Sequence, residues 1–508
     1  MAGMKLSRWL AVLAAGLCLV ATSPALPPDA PSFLIQGAQV ADGTGAPLKK
    51  ADVRVVGDRI AEVGALTPAA GERVVRADGL VLAPGFIDVH NHSTDGLKTD
   101  PLAETQVSQG ITTLVLGPDG DSPWPIGEYL DAIEKAPAAV NVMTMVGHET
   151  VRSLVMGKDF RRKATPAEVV KMADLVAQGM REGASGLSSG LEYDVGSYAE
   201  TDELVALSKP AAKDGGFYMT HVRDEAEKTL AAFHEAIEIS KRGGLPLQIS
   251  HIKLGTIGVW GKTPQAIALI DAARQKGQDV TADCYPYEAW HSNLEVIVPD
   301  KRYDDPKSVA EALRVLGGPS RITVTACKAH PAYAGKTLEQ IAKEENLTPV
   351  ALYSRMVREG GADIIGHSMT AEDVRAFYRQ PWVMVASDGG INTDHPRGAG
   401  TFPRVLGRFV REEHLIPLED AVRKMTSLPA ARMKLADRGR IAPELKADLV
   451  LFDPRTVIDR STFEDPRRLS EGIVLVVVNG EGVWSEGKPT GAKPGRVLRG
   501  PAAAGRRP

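Results

Sequence analysis

Nine short apolar runs punctuate the middle of this chain: Phe86–Val89, Ile111–Leu116, Val142–Val146, Gly186–Ser189, Phe217–Thr220, Leu247–Ser250, Val280–Cys284, Asp363–Gly366 and Val383–Ser387. Amphipathic stretches such as Pro166–Glu182 and Asp224–Lys241 separate them. Short apolar strands alternating with helices read as βα units around a parallel sheet covered on both faces. Eight such units close a barrel, so one run is surplus, and Asp363–Gly366 is the candidate. From about Trp290 to Glu359 the pattern changes: charged helices surround one strand, Arg321–Thr325, which reads as an insertion lying over the barrel mouth. No repeat recurs at solenoid periods.

Both flanks are β-rich. Asp52–Val56, the turn Gly57-Asp58 and Arg59–Val63 form a hairpin pattern. Asp448–Phe452 is a further strand, and Ile473–Val478, Asn479-Gly480 and Val483-Trp484 make a second hairpin. Two such segments around an α/β middle predict one small β-sandwich domain built from both ends, residues 32–82 plus 440–498. The barrel then spans 83–439, with 290–359 inserted. A chain of 508 residues, 43% hydrophobic, is long enough for these units. A net charge of -4 gives no nucleic-acid surface or polybasic membrane patch, so a small-molecule partner is expected. Oligomeric state stays open.

Residues 1–25 read as a secretory signal peptide. Lys5 and Arg8 precede the apolar run Leu10–Val20, and Ser23-Pro24-Ala25 offers small residues for cleavage. That predicts a periplasmic or secreted protein with no stable membrane anchor after cleavage; a retained single anchor is the competing reading. The Gly-, Pro-, Ala- and Arg-rich tail, 499–508, reads as disordered. Cys284 and Cys327 remain after cleavage, too few for a disulfide framework.

The chemistry gathers where the apolar runs end, and parallel barrels place working residues at the C-terminal ends of their strands. His90 and His92 follow Phe86–Val89 two residues apart, and positions i and i+2 of a strand share a face. Asp88 shares that face and can orient the ligands from behind. A lone His-x-His reads as readily as two packed histidines. Here Asp119, His221, His251 and Asp388 end similar runs, which favours convergence on a metal ion. Imidazole and carboxylate donors suit zinc, with nickel, cobalt or manganese as alternatives.

The segments Pro84-Gly85-Phe86-Ile87-Asp88-Val89-His90-Asn91-His92, Thr220–Glu225, Ser250–Lys253 and Ala386–Gly389 resemble the metal-dependent amidohydrolase superfamily. Gly190–Tyr193, Tyr285–Tyr287, His395–Gly398, Gly400–Gly407, Lys424–Ala430 and Ala447–Val450 resemble its N-acyl-D-amino-acid deacylase branch, the D-aminoacylases. The resemblance runs from about Phe33 to Leu498. It implies a distorted TIM (β/α)8 barrel with a small β-sandwich domain and an inserted α/β subdomain. It also implies zinc-dependent hydrolysis of a linear amide, with one or two ions.

In that family's pattern His221 and His251 would hold the tight metal and His90 and His92 a second position. Asp388 would take a proton from the attacking water and pass it to the leaving amine. Arg397 would meet the substrate carboxylate through its planar fork, where without the resemblance it reads as a surface ion pair. Lys253, Tyr193 and Tyr285 match positions that line the family's substrate pocket, with packing as the competing role. One departure stands out. Where the family has a metal-ligating cysteine in Gly-Asn-Cys-Gly, this chain has Gly117-Pro118-Asp119-Gly120. A carboxylate at Asp119 can still bind zinc and bridge two ions, and Asp121 is close enough to compete for the role. His291 falls where the family often has a small polar residue. His148 and His367 also end strands, as either structural or catalytic groups, whereas His234, His330 and His414 read as structural or solvated.

Three readings therefore stand. The first is a deacylase of N-acyl-D-amino acids. The second is a relative with another scissile bond, either a dipeptidase releasing a D-residue or a cyclic amidase of dihydroorotase type. The third is a catalytically silent periplasmic binding protein, which would have no need of a base at Asp388.

Overall fold

The computed structural model describes residues 32–503; the expected signal peptide lies outside them. Nearly every apolar run of the middle segment is a parallel strand. Val383–Val385, Val280–Cys284, Leu247–Ile249, Phe217–His221, Gly186–Gly190 and Val146–Gly147 pair in that order. Phe86–Asp88, Ile111–Leu116 and Asn141–Thr144 form a second parallel set. Only Met145 separates Asn141–Thr144 from Val146–Gly147, so one interrupted strand joins the two sets. On the far side Asp388 N donates to His90 O (3.0 Å) and His92 N donates to Gly389 O (2.7 Å). The result is a distorted (β/α)8 barrel.

Helices cover it by their apolar stripes. Pro166–Glu182 starts from a Thr165/Glu168 capping box and buries Met172, Val176, Gly179 and Met180, one face of a 3.6-residue repeat. The next expected helix start shifts from Asp224 to Thr229. Asp224 instead accepts from the amides of Ala226 and Lys228, and so holds a loop rather than a first helical turn.

The surplus run, Asp363–Gly366, pairs antiparallel with Trp290–Asn293 and with Ile322–Ala326. The insertion thus carries three strands where the sequence suggested one, and it runs past Glu359. Trp290-His291-Ser292-Asn293 has no apolar alternation to mark it as a strand. Helices Pro306–Val315, Leu338–Glu344 and Pro349–Arg358 pack with this sheet around a separate core of Leu294, Val309, Ile322, Leu338, Leu352 and Ile364.

The two ends of the chain meet in a nine-stranded sheet in which Val81–Pro84 pairs with Leu449–Phe452. Successive residues of Leu449–Phe452 face opposite ways. Leu449 and Leu451 join a core with Ile35, Val53, Val55 and Leu475, while Val450 and Phe452 join the barrel core. The tail is not loose as far as Ala503. Gly495 N donates to Ala138 O, Leu498 N to Val142 O and Gly500 N to Gly183 O. Backbone pairing with barrel segments overrides what the composition of 499–503 suggests.

Candidate active site

Six side chains from five strand ends meet at one mouth. His90 Nε2 lies 3.2 Å from Asp119 Oδ2 and 3.4 Å from Asp388 Oδ1. His92, exposed at the rim, puts Nε2 3.2 Å from Asp388 Oδ1 and 3.6 Å from Asp119 Oδ2. His251 Nε2 is 3.5 Å from Asp119 Oδ2 and 3.0 Å from His221 Nδ1. Two donor sets result, His90/His92/Asp119/Asp388 and Asp119/His221/His251, each with its ligand atoms within 4.8 Å of one another. Asp119 belongs to both. Asp121 instead points outward, where Thr150 Oγ1 donates to it at 3.5 Å.

The backbone is bent to achieve this. Asp119, His251 and Asp388 have φ of 53°, 32° and 47°. Non-glycine residues seldom adopt the left-handed region, which costs roughly 1–3 kcal/mol each and persists where surroundings enforce it. Each of the three sits just past a strand end, where the turn swings its side chain into the mouth.

The donor set fits a cation. Asp119 Oδ1 is buried without a hydrogen-bond partner. Burial alone would raise the Asp119 carboxyl, yet the imidazoles of His90 and His251 hold it well below the usual carboxylate range. Burial opposes charge on His90 as well, and the carboxylates of Asp119 and Asp388 overcome it, raising that imidazole well above its usual value. Such a cluster stabilises positive charge at its centre, which protons supply in part and a divalent ion supplies better.

Arg397 is no surface ion pair. It is 4% exposed, and its Nη1 lies 2.7 Å from Asp388 Oδ2. Its guanidinium stands 4.7 Å over the ring of Tyr285, and Nη2 donates to His291 O (3.4 Å). His395, buried beside it, accepts from Arg397 N through Nδ1 (3.0 Å) and donates from Nε2 to Ala289 O (3.1 Å). Two glycines let the Arg397–Arg404 helix come this close: a Cβ on Gly389 would lie 2.6 Å from Gly398 Cα. Asp388 stays ionised: burial pushes its carboxyl up, but Arg397, His251 and His90 together hold it well below the ordinary range. Burial and then Arg397 push the His291 imidazole down to about 4, so it is neutral.

Tyr193 and Lys253 stand at the other end. Tyr193 Oη donates to His221 Nδ1 (3.1 Å). Lys253 Nζ reaches both oxygens of Glu225 at 2.6 Å and lies 2.8 Å from His251 Nδ1. His148 belongs elsewhere, in a buried cluster with Glu203 and Arg152. His367 packs edge-on against Phe463 at the end of the inserted strand, outside the mouth.

Carboxylates behind the histidines form a layer that sequence reading leaves without roles. Glu192 Oε2 accepts from His221 Nε2 (2.9 Å), which leaves Nδ1 facing the cluster. Asp283 Oδ1 accepts from His251 N (2.7 Å) and lies 3.5 Å from His90 Nδ1. Glu225 Oε1 is 3.0 Å from His251 Nδ1. Glu192 and Glu225 fall inside the segments Gly190–Tyr193 and Thr220–Glu225, but only the fold turns them toward His221 and His251.

A barrel whose strand ends assemble two adjoining histidine–carboxylate donor sets around a shared ligand defines a class. The model of the Amidohydrolase family matches residues 73–381 and 346–484, and the chain belongs to that family. More particularly, it is 38% identical to a D-aminoacylase of Alcaligenes xylosoxydans xylosoxydans over 93% of this chain and 98% of that one. A solved D-aminoacylase described with a binuclear metal centre superposes with a TM-score of 0.83 at 38% identity, covering 92% of this chain and 99% of that one. N-acyl-D-glutamate deacylase from Bordetella bronchiseptica, solved with zinc and a phosphonate mimic of the tetrahedral intermediate, gives 0.84 at 34% identity, covering 92% and 99%.

Proposed function

We propose that this protein is a zinc-dependent hydrolase that cleaves the amide of N-acyl-D-amino acids, releasing a carboxylate and a D-amino acid. The observation that carries the reading is the buried Asp388–Arg397 pair at the edge of the shared donor cluster. It sets a base and a carboxylate anchor side by side, which fits an amide substrate bearing a free carboxylate one carbon away. The hand of the substrate follows from the names of the relatives.

His221, His251 and Asp119 would hold one ion, and His90, His92 and Asp119 a second. Zinc in such a site lowers the pKa of a water toward ~7 and polarises a carbonyl. The chain's own residues do the rest. Arg397 receives the substrate carboxylate bidentately and so releases Asp388 from its present pairing. Asp388, ionised, accepts the proton of the attacking water and returns it to the leaving nitrogen. Tyr193 Oη, 3.1 Å from His221 Nδ1, is a hydrogen-bond donor at the cluster for the substrate carbonyl. Lys253 neutralises Glu225 beside His251. Tyr285 lays its ring under Arg397 and keeps the guanidinium flat toward the substrate.

The protein is exported, with its signal peptide cut near Ala25; the order of charged, apolar and small residues at the N-terminus supports this. N-terminal sequencing of the protein from its producing cell checks it, and an intact Met1 would refute it. For the activity, N-acetyl amino acids of both hands and simple dipeptides are assayed with metal content measured on the same sample. Zinc-dependent release of D-amino acids is expected. Turnover of cyclic amides alone, or binding without turnover, would replace the reading with one of its competitors.

A further inference from the structure

The turn that carries Asp119 is irregular: Gly117, Asp119 and Gly120 have φ of 73°, 53° and 86°, with Pro118 between the first two. Its carboxylate nevertheless has a demanding task, since it belongs to both donor sets. Carboxylates that ligate metals are ordinarily steered by a hydrogen-bond donor behind them. Asp119 has none among the described residues. Oδ2 faces the imidazoles of His90, His92 and His251 at 3.2, 3.6 and 3.5 Å, and Oδ1 is buried without a partner. The direction of the carboxylate is therefore set by the backbone of the turn.

One side chain from elsewhere in the barrel ties that backbone. Ser188, fully buried, stands on the strand Gly186–Gly190, beyond the interrupted strand that neighbours Ile111–Leu116. Its Oγ donates to Gly117 O (2.6 Å) and accepts from Gly120 N (3.2 Å). Val146 O, at 3.5 Å, is the weaker alternative acceptor. A hydroxyl donates and accepts at once, so one atom joins the residues on either side of Pro118-Asp119 and closes the turn into a ring. The adjoining strand ends leave no slack. A Cβ on Gly190 would lie 2.3 Å from Asp119 O, and one on Gly147 would lie 2.2 Å from Gly120 O.

We propose that Ser188 is a positioning residue for the metal centre: its hydroxyl holds the Asp119 turn in the arrangement in which a single carboxylate serves both donor sets. Ser188 acts through Asp119 and is not itself a ligand. Without the hydroxyl, Gly117 O and Gly120 N lose a shared partner in a buried place, where an unpaired polar group is costly, and the turn moves to recover one. Oδ2 stands nearly midway between His90 and His251, so a swing toward one donor set is a swing away from the other.

Two readouts test this, and neither depends on which amide is cleaved: zinc affinity by chelator competition, and the visible absorption of the cobalt-loaded protein. Ser188→Ala should weaken zinc binding by ~10–100-fold and shift the cobalt bands, as loss of a group that orients a ligand does. Ser188→Thr keeps the hydroxyl and should recover most of that loss. Ser240→Ala is the control. Ser240 is also buried, and its Oγ donates to Leu245 O (2.7 Å) past the end of the helix Thr229–Gly243, away from the mouth. That variant should lower the unfolding midpoint much as Ser188→Ala does, with zinc affinity and cobalt spectrum unchanged. Parent-like zinc affinity and cobalt bands in Ser188→Ala overturn the assignment. So does an equal loss of affinity in Ser240→Ala, which would make the effect one of general stability, or a folded Ser188→Thr that binds zinc no better than Ser188→Ala.

Discussion

Asp388 is held by Arg397 at 2.7 Å and by His92 at 3.2 Å, so its charge is fixed before any substrate arrives. Asp388→Asn keeps the shape and loses the proton acceptor; kcat should fall by ~10²–10⁴ with metal content unchanged, measured by turnover and metal analysis on one preparation. Arg397→Ala should raise KM for free-carboxylate substrates by ~10–150-fold, the equivalent of about 1.5–3 kcal/mol, and should affect their carboxamides much less. Equal losses on both would make Arg397 a support for Asp388 only. Asp119 belongs to both donor sets, so Asp119→Ala should lose both ions and activity together, while Asp119→Cys should restore one tightly held zinc. If Asp119→Ala keeps its full zinc, the shared-ligand role is wrong. Behind these residues Glu192 fixes which nitrogen of His221 faces the cluster. Glu192→Ala should weaken zinc binding ~10–100-fold by chelator competition, and Glu192→Gln, which can still accept the Nε2 proton, should weaken it less. The six inner side chains were legible in the sequence because each follows an apolar run. Glu192, Glu225 and Asp283 were not: apart from His221, four positions before Glu225, their histidine partners lie 26 to 193 positions away and meet them only across the closed barrel.

 At the scale of elements, the parallel strands were readable from apolar runs bounded by polar residues, and the surplus run resolved once Asp363–Gly366 paired antiparallel outside the barrel. Trp290–Asn293 escaped notice because a half-exposed strand of polar residues carries no periodic signal. The left-handed backbone at Asp119, His251 and Asp388 escaped it for a different reason: nothing in an aspartate or histidine announces a positive φ. The Arg397–Arg404 helix shows how element packing reaches the chemistry. It rests on the Asp388 turn through the contact of Gly389 with Gly398, and a Cβ at Gly389 would meet backbone at 2.6 Å, which no rotamer change relieves. Gly389→Ala should therefore move the helix outward and draw Arg397 off Asp388. Overpacking of this kind costs about 1–3 kcal/mol of stability. The expected signature is a higher KM and a lower unfolding midpoint with zinc content retained. An unchanged KM would show that Arg397 reaches the site without that close contact.

At the scale of the whole molecule, both chain ends serve the barrel. The nine-stranded sheet sends Val450 and Phe452 into the barrel core, next to strands that begin immediately after Val81–Pro84. Past that sheet the chain crosses the barrel's outside as a strap. Gly495 N donates to Ala138 O, Val142 N to Arg496 O, Leu498 N to Val142 O and Gly500 N to Gly183 O, all at 2.8–2.9 Å. Arg499 Nη2 adds an ion pair with Asp131 at 2.7 Å, which is partly exposed and worth little by itself. The backbone bonds matter more, since each contributes about 0.5–1.5 kcal/mol net and a buried group left without its partner costs further. Their partners lie around Asn141–Thr144, the strand whose interruption at Met145 joins the two parallel sets. Truncation after Pro494 should therefore loosen the barrel at that interruption, although it removes no residue of the mouth. The expected result is a destabilisation on the order of 2–6 kcal/mol from the lost backbone bonds, read as a lower midpoint in denaturant, with zinc affinity and KM preserved in the protein that remains folded. Hydrogen exchange should rise first in 138–147 and 183–187. An unaltered midpoint would show that the strap merely lies on the barrel, and a loss of zinc affinity in the folded fraction would show that it also holds the mouth.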